Sequence, residues 1–285
     1  MRCQENSAQL IQFHEHEVVE MLRDPSQLQL VFQPQVNLKT GRIESAEALA
    51  RWNHPVWGVL PAGRFIGGIL GLGLQGPLFR RVAELALAAS AALTLAGKPL
   101  PLAINACAAT LSTQENIEFL RSTALRRRVA PALVKVELTE DAPVTDIKAL
   151  KAAVSRLRQC GFKVSIDDFG VGYANLDLLL DLDIDELKLD RVFAAQIGDN
   201  PIARQSVRFA LCLAKEMGWR VVAEGISTET ELRALYQLGC RHGQGYYLGR
   251  PMSLEALLTL PRDRRCQRGH LPGESNGLGA AASSV

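Results

Sequence analysis

Apolar and polar positions along the chain follow two periods. Short apolar runs, several rich in β-branched residues, recur at 28–36 (LQLVFQPQV), 42–49 (RIESAEAL), 100–106 (LPLAINA), 133–138 (LVKVEL), 162–167 (FKVSID), 184–189 (IDELKL), 220–225 (RVVAEG) and 242–248 (HGQGYYL). Each has the length and residue types of a strand. Between most of them lie segments of helical period, such as IKALKAAVSRLRQCG ending at Gly161 and ARQSVRFALCLAKEMG ending at Gly218. Both stop on glycine, which closes helices in the left-handed conformation. Strands alternating with helices over most of the chain predict a (β/α) barrel, with a doubly wound sheet as the alternative. The first two strands are separated only by NLKTGR. That spacing makes a hairpin, so one strand is expected antiparallel to its neighbour.

The two ends read differently. Residues 8–23 form an amphipathic helical pattern, which sets 1–25 apart as an N-terminal helix or linker before a barrel at 26–260. Residues 262–285 are rich in Gly, Ser and Ala and basic near their start, so 261–285 reads as a disordered tail. The 285 residues are 47% hydrophobic, enough for one barrel-sized core. A net charge of +2 gives no field that favours DNA. The six cysteines are scattered without a CxxC pair, so neither a zinc site nor a disulfide framework is indicated. The N-terminus has no apolar h-region and no stretch is long enough for a membrane span, so a cytoplasmic location is expected.

Active sites of such barrels lie where strands end. The polar residues there are Glu47, Asn105, Glu137, Asp167 with Asp168, Lys188 and Glu224, with Gln244 near the start of the last strand. Asp167 and Asp168 follow an apolar strand directly. Two adjacent carboxylates can be turn and capping chemistry, or they can hold divalent cations, one bridging two ions. Oxygen ligands of this kind suit Mg²⁺ or Mn²⁺ better than zinc. A lysine among them suits a phosphate substrate. Glu47, Leu49 and Arg51 share one face of an extended segment, as do Lys188 and Asp190.

The motifs AEALARW (46–52), INA (104–106), VELTE (136–140), DDFGVGYANL (167–176), LKLDR (187–191), AEG (223–225) and GQGYYLGRPM (243–252) resemble, in order and spacing, those of the EAL-domain family of cyclic di-GMP phosphodiesterases. The likeness runs from about residue 28 to 258. It implies a modified TIM (β/α)8 barrel with one antiparallel strand and a two-metal site holding Mg²⁺ or Mn²⁺. It further implies metal ligation by Glu47, Asn105, Glu137, Asp167 and Asp168, with Asp167 bridging. Glu224 would be the general base, Lys188 would contact the water and the scissile phosphate, and Gln244 would support the water. Substrate contacts fall to Gln33, Leu49, Arg51 and Asp190. Glu140 would steady the loop after the Asp-Asp strand, which in the family couples the site to a dimer interface. The implied partners are cyclic di-GMP, a second copy in a homodimer, and an upstream sensory or receiver partner.

The chain departs from the family in places. The usual FIPLAEETGLI is here FIGGILGLGLQ, the start of a glycine-rich apolar segment at 65–79. That segment contains a literal GxGxxG without the downstream acidic residue a dinucleotide fold needs. It can be an apolar surface for a partner or membrane, or a divergent helix packed on the barrel. Ser227 replaces a glutamate, and Arg241 an acidic residue. None of these removes a ligand, so hydrolysis is the leading expectation. An inactive cyclic di-GMP receptor or an interaction module is the alternative.

Overall fold

The computed structural model describes residues 13–139, 146–170 and 182–260. Glu140, residues 171–181, where a loop is expected, and the expected tail at 261–285 lie outside them. The chain runs α1 (Glu15–Arg23), β1 (Leu28–Asn37), β2 (Ile43–His54), β3 (Gly58–Pro61), α2 (Ile66–Gly71), α3 (Gln75–Leu95), β4 (Leu102–Cys107), α4 (Ala108–Leu111), α5 (Gln114–Arg126), β5 (Val134–Thr139), α6 (Ile147–Gln159), β6 (Lys163–Phe169), β7 (Glu186–Leu189), α7 (Arg191–Gln196), α8 (Pro201–Met217), β8 (Arg220–Ala223), α9 (Glu229–Leu238), β9 (His242–Gly243) and α10 (Leu254–Thr259).

The strands pair in the order β1-β9-β8-β7-β6-β5-β4-β2, and β1 pairs with β2 to close the ring. The fold is a closed, eight-stranded mixed barrel with helices around it. β1 is antiparallel to both neighbours, and the remaining barrel pairs are parallel. The hairpin expected from NLKTGR is thus the β1–β2 connection. β3 lies outside the ring, paired with the far end of β2. Sequence reading ends that strand at residue 49 and misses β3. Its turn is held by His54, whose Nδ1 accepts the Val56 and Trp57 amides at 3.1 and 3.3 Å, and by Gly58 at φ +68°. The run at 242–248 is strand only at its first two residues. Gln244 accepts the Ile226 amide and Tyr247 donates back to Ile226, so the chain turns away. A Cβ on Gly245 would lie 2.1 Å from the Ile226 carbonyl oxygen, a closeness only glycine permits.

The two glycines at helix ends have the expected conformation: Gly218 caps α8 at φ +72°, and Gly161 follows the last turn of α6 at φ +87°. The 65–79 segment is two helices with a turn at Gly73 (φ +70°). Phe65, Ile69, Leu78 and Phe79 are buried in the main core. It is therefore a helix pair packed on the barrel, and helix α2, not a strand, leads into its GxGxxG. α1 also belongs to this body. Val18 and Met21 are fully buried, and the Phe13 ring lies 4.7 Å from Trp52.

Strand alternation divides the core in two. Val136, Leu138, Val164, Ile166, Leu187 and Leu189 belong to the apolar cluster with helix residues such as Leu150, Leu157 and Val207. The intervening residues fill the barrel, and many are polar. A lower layer joins Gln35, Ser45, Lys135, Ser165 and Glu186. Ser45 donates to Gln35 Oε1 at 2.6 Å, and Lys135 Nζ donates to the same oxygen at 2.9 Å. Lys135 also pairs with Glu186, which accepts from Ser165 at 3.3 Å. This layer is buried and supports the site above it.

Removing one member of a buried ion pair leaves its partner uncompensated. Lys135→Met is expected to lower stability by about 3 kcal/mol, read from urea unfolding. The double variant with Glu186→Leu should recover much of that loss. An unchanged midpoint for the single variant would show that the lower layer contributes nothing.

Candidate active site

The upper layer of the barrel centres on Lys188, which is 1% exposed. Its Nζ lies 2.6 Å from Glu224 Oε1, 2.8 Å from Glu137 Oε2, 2.9 Å from Asp167 Oδ1 and 3.7 Å from Glu47 Oε2. Four carboxylates, Glu47 from within β2 and the others from the ends of β5, β6 and β8, therefore surround one ammonium. Glu47 is fixed on both sides. Asn105 Nδ2 donates to its Oε1 at 2.8 Å, and Gln244 Nε2 to its Oε2 at 2.6 Å. Gln244 Nε2 also lies 3.2 Å from Gln33 Oε1. Gln35 reaches up from the lower layer to Glu137 Oε1 at 3.4 Å. Backbone pairing sets these heights: Gln33 stands opposite Glu47, and Asn105 beside Glu137.

The adjacent aspartates are explained by the backbone. The register of β6 against β7 shifts between Ile166 and Phe169, and Asp168 has φ +52°. A left-handed residue inside a strand breaks the alternation that would send neighbours to opposite faces. Asp167 and Asp168 can then join one cluster. Ligand oxygens of Glu47, Glu137 and Asp167 lie within 4.8 Å of one another, as do those of Asp167, Asp168 and Glu224. Asp167 is common to both groups.

The electrostatics of this arrangement are unbalanced. Burial pushes the Glu224 carboxyl well above its usual range, and Lys188 only partly offsets this. Burial likewise raises Asp167 to about 6, against the pull of Lys188. Asp168 rises to about 7, from burial first, then the Asp167 charge, then its hydrogen bond with Asp190. Glu137 goes the other way: burial would raise it, but Lys188 and Lys135 outweigh burial and hold it low. Lys188 is itself held well above the usual lysine value, its carboxylates outweighing its burial. Crowded acidic groups of this kind could hold cations in place of protons. The donor set fits them. Beyond the carboxylates, Asn105 Oδ1 and Gln244 Oε1 are buried acceptors without a hydrogen-bond partner, and all these ligand atoms are oxygens.

The structure thus brings Glu47, Asn105, Glu137, Asp167, Asp168, Lys188, Glu224, Gln244 and Gln33 together. Arg51 is half-buried on β2, and this burial lowers its pKa, with the Glu47 carboxylate opposing it. Leu49 lines a cavity beside the cluster. Asp190 Oδ1 accepts the Val192 amide at 2.7 Å at the start of α7, and the side chain also meets Asp168. Two departures lie apart from the site. Ser227 is exposed and pairs with Glu231 in the cap of α9, its amide 2.6 Å from Glu231 Oε2. Arg241 is exposed and stacks on Tyr236. Sequence reading missed Lys135 and Gln35. Their signal was parity: Lys135 shares the inward face of β5 with Glu137, inside a run otherwise buried and apolar.

Both aspartates hold their protons more tightly in the folded chain than at the ordinary value of 3.8. The metal-free fold is therefore predicted to lose stability as pH rises from about 4 through about 7, because the native state binds the extra protons there. Asp168→Asn removes one of the charges. Without metal, its melting temperature should match the parent at pH 4 and exceed it at pH 8. A lower value than the parent at pH 8 would contradict this account.

A model of the EAL domain matches residues 17–251. Among curated proteins, the cyclic di-GMP phosphodiesterase PA2567 of Pseudomonas aeruginosa is 35% identical over 228 residues, 80% of this chain and 39% of the relative. The cyclic di-GMP phosphodiesterase RocR of the same species is 32% identical over 229 residues, 80% of this chain and 58% of that protein. The chain thus spans well under two thirds of these relatives. Among solved structures, the PaMucR phosphodiesterase in complex with c-di-GMP superposes with TM-score 0.79 at 31% identity, covering 85% of this chain and 98% of that one. The EAL enzyme Bd1971, in its cAMP and cyclic-di-GMP bound form, gives TM-score 0.79 at 30% identity, covering 86% and 67%. With the family model spanning the barrel from α1 to the residues after β9, this chain belongs to the EAL domain family.

Proposed function

We propose that this chain hydrolyses one phosphodiester of cyclic di-GMP to give linear pGpG, with two divalent cations, Mg²⁺ or Mn²⁺. The observation that carries this reading is the pair of acidic groups sharing Asp167 around Lys188. The relatives named as cyclic di-GMP phosphodiesterases support the substrate. Glu47, Asn105, Glu137 and Asp167 would hold one cation, and Asp167 with Asp168 the other. When bound, the cations polarise the phosphoryl oxygens and make water acidic enough to attack.

The chain's own residues supply the rest. Glu224 lies at the rim of the cluster, 18% exposed at its side chain, and takes the proton of the attacking water. Lys188 sits 2.6 Å from Glu224 and adds positive charge where negative charge grows on the phosphate. Gln244 holds Glu47 through its amide nitrogen, leaving its carbonyl oxygen for the water. Gln33, Leu49, Arg51 and Asp190 are assigned to substrate, with Arg51 on a phosphate. Glu140 is assigned to steadying the loop after β6. A homodimer and an upstream sensory or receiver partner belong to the same proposal.

The altered positions Ser227 and Arg241 lie outside the cluster, which weakens the case for an inactive receptor. Incubation with cyclic di-GMP and Mn²⁺, followed by chromatography, should yield pGpG from the parent and none from Glu47→Ala. Glu224→Gln should lower kcat by about 10²- to 10⁴-fold. Tight nucleotide binding by the parent without product would overturn hydrolysis in favour of a receptor.

A further inference from the structure

Beside the carboxylate cluster lies a cavity of about 510 Å³, within the usual range of small-molecule sites. Asn105, Asp167 and Asp168 form its end at the cluster. Much of the remaining lining is apolar, including Ile66, Ile69 and Leu70 of α2 and part of α3. On α3 the lining residues are Gln75, Leu78, Phe79 and Val82. The spacing i, i+3, i+4, i+7 is one helical stripe. Three of its members are apolar, as a packed stripe requires. The fourth, Gln75, carries a buried Oε1 with no hydrogen-bond partner, and it stands where the usual family text ends in isoleucine. A buried polar atom left unpaired in an apolar wall costs stability and calls for a reason.

The other polar side chains of the wall are engaged. Cys107 Sγ and Thr110 Oγ1 are 3.2 Å apart and satisfy each other, and Thr139 has a partner of its own. A ligand anchored by its phosphate at the cluster and extending into this cavity would desolvate whatever group it places there. An aliphatic group would need no amide to meet it. A heterocyclic base would, because its edge carries donors and acceptors.

We propose that Gln75 is a specificity-determining residue of this chain, hydrogen-bonding through its side-chain amide to the edge of one base of the cyclic dinucleotide. This rests on the substrate reading above. Gln75 touches no reacting atom, so it acts on binding and not on the chemical step. Loss of one neutral hydrogen bond corresponds to about three- to ten-fold in affinity.

The test compares the parent with Gln75→Met, which keeps the volume, and Gln75→Leu. Calorimetry gives Kd for cyclic di-GMP, and steady-state kinetics give kcat and KM with Mn²⁺. Bis(p-nitrophenyl) phosphate, a diester without bases, is the control substrate. The expected result is a three- to ten-fold rise in Kd and KM for cyclic di-GMP in both variants, with kcat and the control reaction unchanged. Unchanged Kd and KM in both variants overturn the assignment, and so does an equal loss toward both substrates. A parent that binds the dinucleotide and leaves it intact overturns hydrolysis alone, since the Kd comparison still decides for or against Gln75. A parent that does not bind it overturns both.

Discussion

The constraint on which the site depends is the burial of one ammonium among too many carboxylates. Lys188 sits at the centre of the barrel, and four acidic side chains reach it from four different strands or the residues that follow them. In water such a group would be weakly coupled. In a low-dielectric interior each charge acts strongly on the others. Lys188 together with Lys135 holds Glu137 low, but Lys188 cannot do the same for Glu224 and Asp167, which keep their protons well above the usual range. The uneven outcome is what a site looks like when its charge balance is completed by cations.

That arrangement requires an unusual barrel. TIM-type interiors are commonly filled by branched apolar side chains in layers. Here the inward positions of β5, β6 and β7 are Lys135 and Glu137, Ser165 and Asp167, Glu186 and Lys188. The apolar core lies outside the ring, between strands and helices. The lower layer ties Gln35, Lys135 and Glu186 together, and Gln35 passes that rigidity to Glu137. The bulge at Asp168 adds a second carboxylate from one strand end, at the cost of a left-handed aspartate.

Much of this was legible in the sequence. The strand ends were marked by ionisable residues, and the short link after β1 gave the antiparallel strand. Local pattern failed where a tertiary contact decided the outcome. The apolar run at 242–248 promised a full strand, but the packing of Gly245 against Ile226 turns the chain. β3 was missed because its turn rests on the His54 ring, a side-chain bond that no period reveals. Lys135 and Gln35 were overlooked because each looks like an ordinary polar interruption until the barrel closes. Gln75 was invisible for a related reason: its spacing to Leu78, Phe79 and Val82 becomes meaningful only once that face of α3 meets a cavity.

The most direct test of the central claim is a count of the cations. Anomalous diffraction from crystals grown with Mn²⁺ reports both their number and their ligands. The account predicts two manganese ions per chain, with Asp167 touching both and Lys188 remaining unbound to metal between Glu137 and Glu224. A single ion away from Asp167, or none at saturating Mn²⁺, would contradict it and leave the buried charge surplus to be explained by protons alone.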